Sequence, residues 1–416
     1  MLGDDYVFLN DATVYMDPEH LRSDPQPLSE AGVVSYLPTL DGLRGVAILL
    51  VLWYHTPFLF RHLPEFGEAQ SAWSMLGFLG TMSLGGWMGV DLFFVISGFL
   101  ITSILMQVRS RVSSSFVFWG RRALRIFPLA GMYLLVLFSL KLLDDPLRMM
   151  PGFDGWSWYV FYLGNIHITI YGWQPLALMI LWSLAIEEQF YLVWPLLVRM
   201  VRANRLIWWI IGLILLVPFV RAVMLSTSDY PATYVFTLCR IDALAAGALM
   251  SVLLNSHTWR HKTLRVSERL VLPALGVIVL TLLVPFSPSL PQTRPWFLSV
   301  FGYSWVAASF AVCLVASLSA SGLWYSALTS PFLTFLGKRC YGLYIWHVLV
   351  ASVITAVLRP FQIGFYGHVM LWLIALFLVA SGSWVLLEKP ILRLKYLLPY
   401  EKKLKAKFGL KLAQVQ

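Results

Sequence analysis

Residues 156–173 read Trp-Ser-Trp-Tyr-Val-Phe-Tyr-Leu-Gly-Asn-Ile-His-Ile-Thr-Ile-Tyr-Gly-Trp. The stretch is long enough and aromatic enough to pass for a membrane span, yet Gly164, Asn165 and His167 stand near its middle. If it crossed, every later loop would change sides. If it dips in and returns, or lies along the interface, the loops keep an ordered charge pattern. The whole topology turns on this choice.

The remaining chain supplies the test. Of its 416 residues, 59% are hydrophobic and 12% charged, about half the charge of a soluble domain. Apolar runs of span length recur near 43–60, 88–108, 126–143, 181–200, 206–225, 234–254, 270–286, 297–318, 341–358 and 368–387. With 156–173 kept out of the count and the N-terminus placed in the cytoplasm, 22 Lys and Arg fall on the inner side and six on the outer. That asymmetry is the positive-inside pattern, with both termini inside. Counting 156–173 as a span would destroy it. The sequence therefore predicts an all-α polytopic membrane protein, about ten transmembrane helices in one bundle with a re-entrant or interfacial segment near 156–173.

The net charge of +10 is explained by these short basic loops, so nucleic-acid binding is not expected. Cys239, Cys313 and Cys340 are scattered, which indicates neither a disulfide framework nor a metal site. Residues 1–35 are acidic and lack a basic segment followed by an apolar one. They are read as a cytoplasmic extension without a cleaved signal peptide. Residues 396–416 read as a basic cytoplasmic tail, leaving 36–395 as one membrane domain.

Ionisable residues inside spans are costly, so each is a candidate for function. Arg44 and His55 are eleven residues apart on the first span. They share a helix face and lie roughly 16 Å apart along the axis. Counting residues from the outer surface puts Glu187, Glu188, Arg240 and Asp242 near the depth of His55. An imidazole, two carboxylates and an Arg–Asp pair at one level would form a buried polar site, or an internal ion-pair network without chemistry. Ser183, Glu187 and Tyr191 recur every four residues, along one helix stripe. Asp91 stands at the outer mouth of the second span, and His347 in the inner half of the ninth. Arg121, Arg122 and Arg125 cluster before Pro128. They read either as a topology anchor or as a dock for phosphates.

Read in order, several segments resemble the acyltransferase 3 family of integral membrane acyltransferases. They are Leu40-Asp41-Gly42-Leu43-Arg44-Gly45 leading to His55, and Gly89-Val90-Asp91-Leu92-Phe93-Phe94 with Gly98-Phe99-Leu100-Ile101-Thr102. Arg121-Arg122-Ala123-Leu124-Arg125-Ile126-Phe127-Pro128 and the run from Trp182 to Tyr191 follow. Arg240-Ile241-Asp242-Ala243-Leu244, Tyr341-Gly342-Leu343-Tyr344-Ile345-Trp346-His347 and Glu388-Lys389-Pro390 complete the series. The resemblance covers about residues 36–395. It implies that Arg44 and His55 are essential, that the donor is acyl-CoA and that the acceptor is a carbohydrate. It implies a multi-pass protein of the inner (plasma) membrane.

Joined to the residues, it gives a working picture. Arg44, Arg121, Arg122, Arg125 and His347 would hold the cofactor-like donor, with acetyl-CoA as the default. His55 would act as general base or carry an acyl group, oriented by Glu187 or Glu188. Asp91, Trp182, Arg240 and Asp242 would meet the acceptor. Some relatives carry a C-terminal SGNH-type esterase domain, and none is expected before Gln416. The alternative class is a transporter or flippase of a glycan or lipid precursor, which would also bury His, Glu and Arg but would show paired broken helices and repeats.

Overall fold

The structure is a computed structural model. It describes residues 37–60, 63, 82–109, 114–147, 149, 153–227, 232–256, 258–283, 296–319, 321–361 and 363–398. The extension at 1–35 and all but three residues of the tail at 396–416 lie outside the described residues, as do loop residues such as Arg111, Arg148 and Arg294. Among the described residues 88% are helical and none is in a strand. Among the described residues ten helices are long and apolar enough to cross a membrane. The chain is an all-α polytopic membrane protein.

Ten long helices carry the bundle, in the order α1 (Pro38–Phe60), α2 (Met88–Val108), α3 (Ser114–Leu142), α7 (Trp182–Met200) and α8 (Ala203–Thr227), then α10 (Thr237–Leu254), α11 (Arg260–Leu283), α12 (Tyr303–Leu318), α14 (Pro331–Leu358) and α15 (Phe365–Ser383). The short helices α4 (Trp156–Val160), α5 (Gly164–Tyr171) and α6 (Leu176–Met179) separate α3 from α7; α9 (Ala232–Val235), α13 (Gly322–Leu328) and α16 (Lys389–Arg393) complete the set.

Residues 156–173 thus break into turns of helix and do not form a span. Asn165 and His167, which disqualify them, are buried, and Asn165 is hydrogen-bonded on both ends of its amide. Gln189 of α7 donates to the Tyr162 carbonyl and to Asn165 Oδ1, both at 2.9 Å. Asn165 donates to Thr237 Oγ1 at 2.8 Å, and Thr237 donates to Gln189 Oε1. The segment is a plug tied to α7 and α10 through these bonds.

Three helices begin earlier than the apolar runs suggest. The expected starts near 126, 270 and 341 become Ser114, Arg260 and Pro331. Hydropathy ends where charge begins, but a helix can continue into the interface with Arg and Lys reaching out to water. Ser330 accepts from the Leu333 N–H at 3.4 Å with Pro331 at the first helical position, a start signal that hydropathy alone passes over.

Burial divides the long helices. In α2, 78% of the span is buried, against 11% in α11. Leu215 and Phe219 on α8, Leu272 and Leu280 on α11, and Leu378 on α15 are exposed and form a lipid-facing ring. The inner helices pack backbone to backbone through glycines. A Cβ on Gly98 would meet the Leu244 carbonyl oxygen at 1.9 Å, and one on Gly247 would meet the Val95 oxygen at 1.9 Å, locking α2 to α10. Gly42 and Gly337 do the same for α1, against Leu328 and against α14, with contacts of 1.8 Å. These two seams decide which side chains meet in the core.

Candidate active site

A cavity of about 100 Å³ opens where α1, α2, α3, α7 and α14 converge. Arg44, Arg122 and Arg125 line it together with Ser97, Ser183, Glu187, Tyr191 and Tyr344. Three guanidinium groups on one small space repel one another. Arg125 feels both Arg44 and Arg122, and each neighbour is only partly answered. Arg44 donates to Asp41 at 2.8 Å. Arg122 lies over the Tyr191 ring at 5.1 Å. Glu187 accepts from Ser97 at 2.8 Å and from Tyr191 at 3.0 Å. These hydroxyls hold its two oxygens facing the cations. The stripe Ser183, Glu187, Tyr191 forms one wall, as the spacing implies.

Arg121 takes no part. Its Nε donates to the Leu398 carbonyl at 2.8 Å, turning it toward the end of the described chain. Glu188 does not line the cavity either; one turn of helix cannot aim adjacent residues at the same point. The cluster is therefore two arginines on α3 joined by Arg44 of α1, and it sits on a helix instead of in a loop ahead of one.

His55 lies deeper along α1. Its Nδ1 is 2.8 Å from the Val51 carbonyl, and the hydrogen bonds identified for its ring include none to Glu187 or Glu188. The orienting carboxylate expected from residue depth is replaced by a helix carbonyl and a second imidazole. The His347 ring centroid is 4.8 Å from that of His55. The early start of α14 explains the encounter. His55 is 17 residues past Pro38 and His347 is 16 past Pro331, on neighbouring helices that start from the same end. His347 is therefore level with His55 instead of in the inner half, and it does not line the cavity. Tyr344 joins the two places. Its hydroxyl pairs with Ser183 at 2.7 Å in the cavity wall, and its carbonyl is 2.5 Å from His347 Nδ1.

The expected Arg240–Asp242 pair does not form. Arg240 donates to Asp91 at 2.7 Å, and Asp242 accepts from Arg221 at 2.5 Å. Both arginines are fully buried. Residues two apart on a helix point in different directions, so each seeks a partner on another helix. Tyr303, Tyr234 and Trp182 surround the Arg240 guanidinium at 4.5, 4.9 and 5.9 Å. Arg221 also donates to the Cys239 and Val300 carbonyls, and Ser304 donates to Asp242 at 2.6 Å. Arg221 and Ser304 were not foreseen as members of this network. An arginine inside an apolar run was the available signal for Arg221. Glu187 lies about five helical residues below Trp182, so the supposed single polar level is two layers roughly 7 Å apart.

A family model described as an acyltransferase domain matches residues 37–388. The peptidoglycan O-acetyltransferase OatA of Listeria monocytogenes is 29% identical over 374 residues, which cover 86% of this chain and 56% of that protein. The putative peptidoglycan O-acetyltransferase YrhL of Bacillus subtilis is 30% identical over 387 residues, covering 86% and 55%. A putative O-acetyltransferase of Staphylococcus aureus, SACOL0978, is 28% identical over 351 residues, covering 80% and 54%. The chain spans about half the length of these curated relatives. No solved structure matches it.

Proposed function

We propose, from the premise that this chain belongs to the acyltransferase 3 family, that it transfers an acetyl group from acetyl-CoA to a hydroxyl of a cell-surface glycan, with residues 36–395 as the catalytic unit. The observation that carries the reading is the convergence of Arg44, Arg122 and Arg125 on one cavity, at the near end of the helix that also bears His55. Arginine forks suit phosphate oxygens, and a CoA molecule offers several. The reach from Arg44 to His55 is roughly 16 Å, about the length of an extended pantetheine arm judged by chain reach.

In this reading the basic helix ends face the cytoplasm, where the donor is found, and both termini lie on that side of the inner membrane. The nucleotide stays at the arginines while the thioester approaches His55. His55 takes the proton of the acceptor hydroxyl as the oxygen attacks the thioester carbon; the C–S bond breaks and the thiolate leaves with a proton. The Arg240 layer, with Trp182 and Asp91, lies on the acceptor side. The relatives named for peptidoglycan O-acetylation make a wall polymer the first acceptor to try.

The test is release of free CoA thiol and appearance of O-acetyl ester when purified protein is given acetyl-CoA and peptidoglycan fragments. His55→Ala should reduce transfer by about 10²–10⁴-fold, the usual loss of a general base. Equal transfer by wild type and His55→Ala would remove His55 from the chemistry. Transport of a glycan across vesicles with no ester formed by either protein would favour a carrier.

A further inference from the structure

The reaction puts a proton on His55, whose ring is hydrogen-bonded to no carboxylate among the described residues. The Nδ1 atoms of His55 and His347 lie 2.8 and 2.5 Å from the carbonyl oxygens of Val51 and Tyr344. A carbonyl can only accept, so both Nδ1 atoms carry hydrogen. The free lone pair of each neutral ring is then on Nε2. His347 is wholly buried, and its Nε2 has no hydrogen-bond partner among the described residues. Buried polar atoms are nearly always paired, and an orphan in a reaction site calls for an explanation.

The surroundings narrow that explanation. Titratable groups facing the pair are Tyr54 from α1, its ring 5.1 Å from His55, and Tyr344 from α14, its ring 5.8 Å from His347. On the neighbouring elements, His368 of α15 meets Phe60 and Tyr133 of α3 meets Trp346. From α15, the Trp372 indole donates to the His347 carbonyl at 2.9 Å and so fixes the backbone.

We propose that His347 is a positioning residue that shares with His55 the proton released by the acceptor hydroxyl. The rings are close enough, at 4.8 Å between centroids, for the two Nε2 lone pairs to be turned toward each other in this proposal, and two lone pairs with no proton between them cannot bond, which would leave Nε2 orphaned. A proton arriving on His55 Nε2 supplies the missing bond, N–H⁺ to N, and spreads the charge over two imidazoles. The bookkeeping is closed. The hydroxyl O–H breaks as the O–C bond forms, the proton rests on the pair, the C–S bond breaks, and the thiolate leaves as thiol with that proton. Both rings return to neutral and no further reactant is needed. The idea rests on His55 being the base.

The experiment compares His347→Phe and His347→Gln, alone and with His55→Ala, in the acetyl-transfer assay. His347→Phe should lower kcat by about 10–100-fold, within the range of one proton-transfer aid, and leave the KM for acetyl-CoA within twofold. Loss of the shared proton makes the His55 imidazolium less stable, so the acid limb of the pH–rate profile should move to lower pH. His347→Gln, whose amide oxygen can accept from His55, should recover part of the rate. In the His55→Ala background, His347→Phe should cost nothing more. An unmoved acid limb with Phe and Gln equally impaired would make His347 a packing residue and overturn the proposal. So would an equal fold-loss in the His55→Ala background. If His55→Ala alone transfers normally, it is the base assignment that fails.

Discussion

Two regions of this bundle put arginine beside carboxylate, and they differ in balance. In the layer between α2, α8, α10 and α12 every charge has an opposite partner. Arg240 meets Asp91, and Arg221 meets Asp242. All four are within 2% of full burial. In the cavity, three arginines face Glu187 and the half-committed Asp41. Glu187 is itself occupied by Ser97 and Tyr191. A balanced, closed set of charges can hold helices in register by itself. An unbalanced, open set leaves positive charge that an anionic ligand could answer.

The largest effect should come from unbalancing the closed layer. Arg240→Ala leaves Asp91 buried and alone, and breaking such a pair costs about 3–5 kcal/mol. Thermal unfolding in detergent should show a large fall. Replacing both partners together, as in Arg240→Met with Asp91→Leu, should recover most of that loss, since apolar residues of similar volume often substitute without cost. The double variant also sharpens the contrast. If it is stable and transfers normally, the layer is architectural. If it is stable but has lost affinity for the glycan, Arg240 and Asp91 meet the acceptor.

A smaller and opposite pattern should follow from the open set. Arg122→Ala or Arg125→Ala removes one of three like charges, so folding stability should change little or rise slightly. The KM for acetyl-CoA should rise about tenfold, the loss of one charge-assisted contact of 1.5–3 kcal/mol partly made up by water, while the KM for the acceptor holds. Isothermal titration with acetyl-CoA reads the effect directly. Unchanged donor affinity would reduce the pair to a marker of topology. Arg121→Ala, turned toward Leu398, serves as the control and should leave donor binding untouched.

Hydropathy and charge alone were enough to read the ten spans and the exclusion of residues 156–173, because lipid imposes those constraints on each segment separately. The stripe of Ser183, Glu187 and Tyr191 was also readable, since helix periodicity is local. Partners were not. Depth along a span is a single coordinate, and it cannot say which helix lies alongside. Arg240 and Asp242 share a helix and a depth, yet each is claimed by a different neighbour. The meeting of His55 with His347 depends on the α1–α14 glycine seam and on a helix start at Pro331 that hydropathy passes over. Arg221 stands inside an apolar run, but its match to Asp242 is set by the α8–α10 packing and leaves no local trace.

The plug formed by residues 156–173 is a third case, buried at Tyr159, Asn165, His167 and Ile168, exposed at Phe161 and Tyr171, and without charge. His167 is boxed by the rings of Phe153, Trp158, Tyr159 and Tyr171, with centroids 4.8–5.9 Å away. Its Nδ1 has no partner. It lies outside the spans, and burial holds its pKa below the ordinary histidine value. In the unfolded segment the same imidazole takes up a proton near pH 6.5. The unfolded form therefore binds more protons, and its docking is fully stable above that pH and weakens as pH falls toward the lower folded value. Hydrogen exchange of residues 156–171 should accelerate modestly between pH 7 and 5.5, after correction for intrinsic rates. His167→Phe should remove that acceleration while the Asn165–Gln189–Thr237 bonds keep the plug in place. The change should be the smallest of those argued, because those bonds and the surrounding aromatic burial do not titrate. Exchange that stays pH-dependent in His167→Phe would shift the cause to another group in the plug.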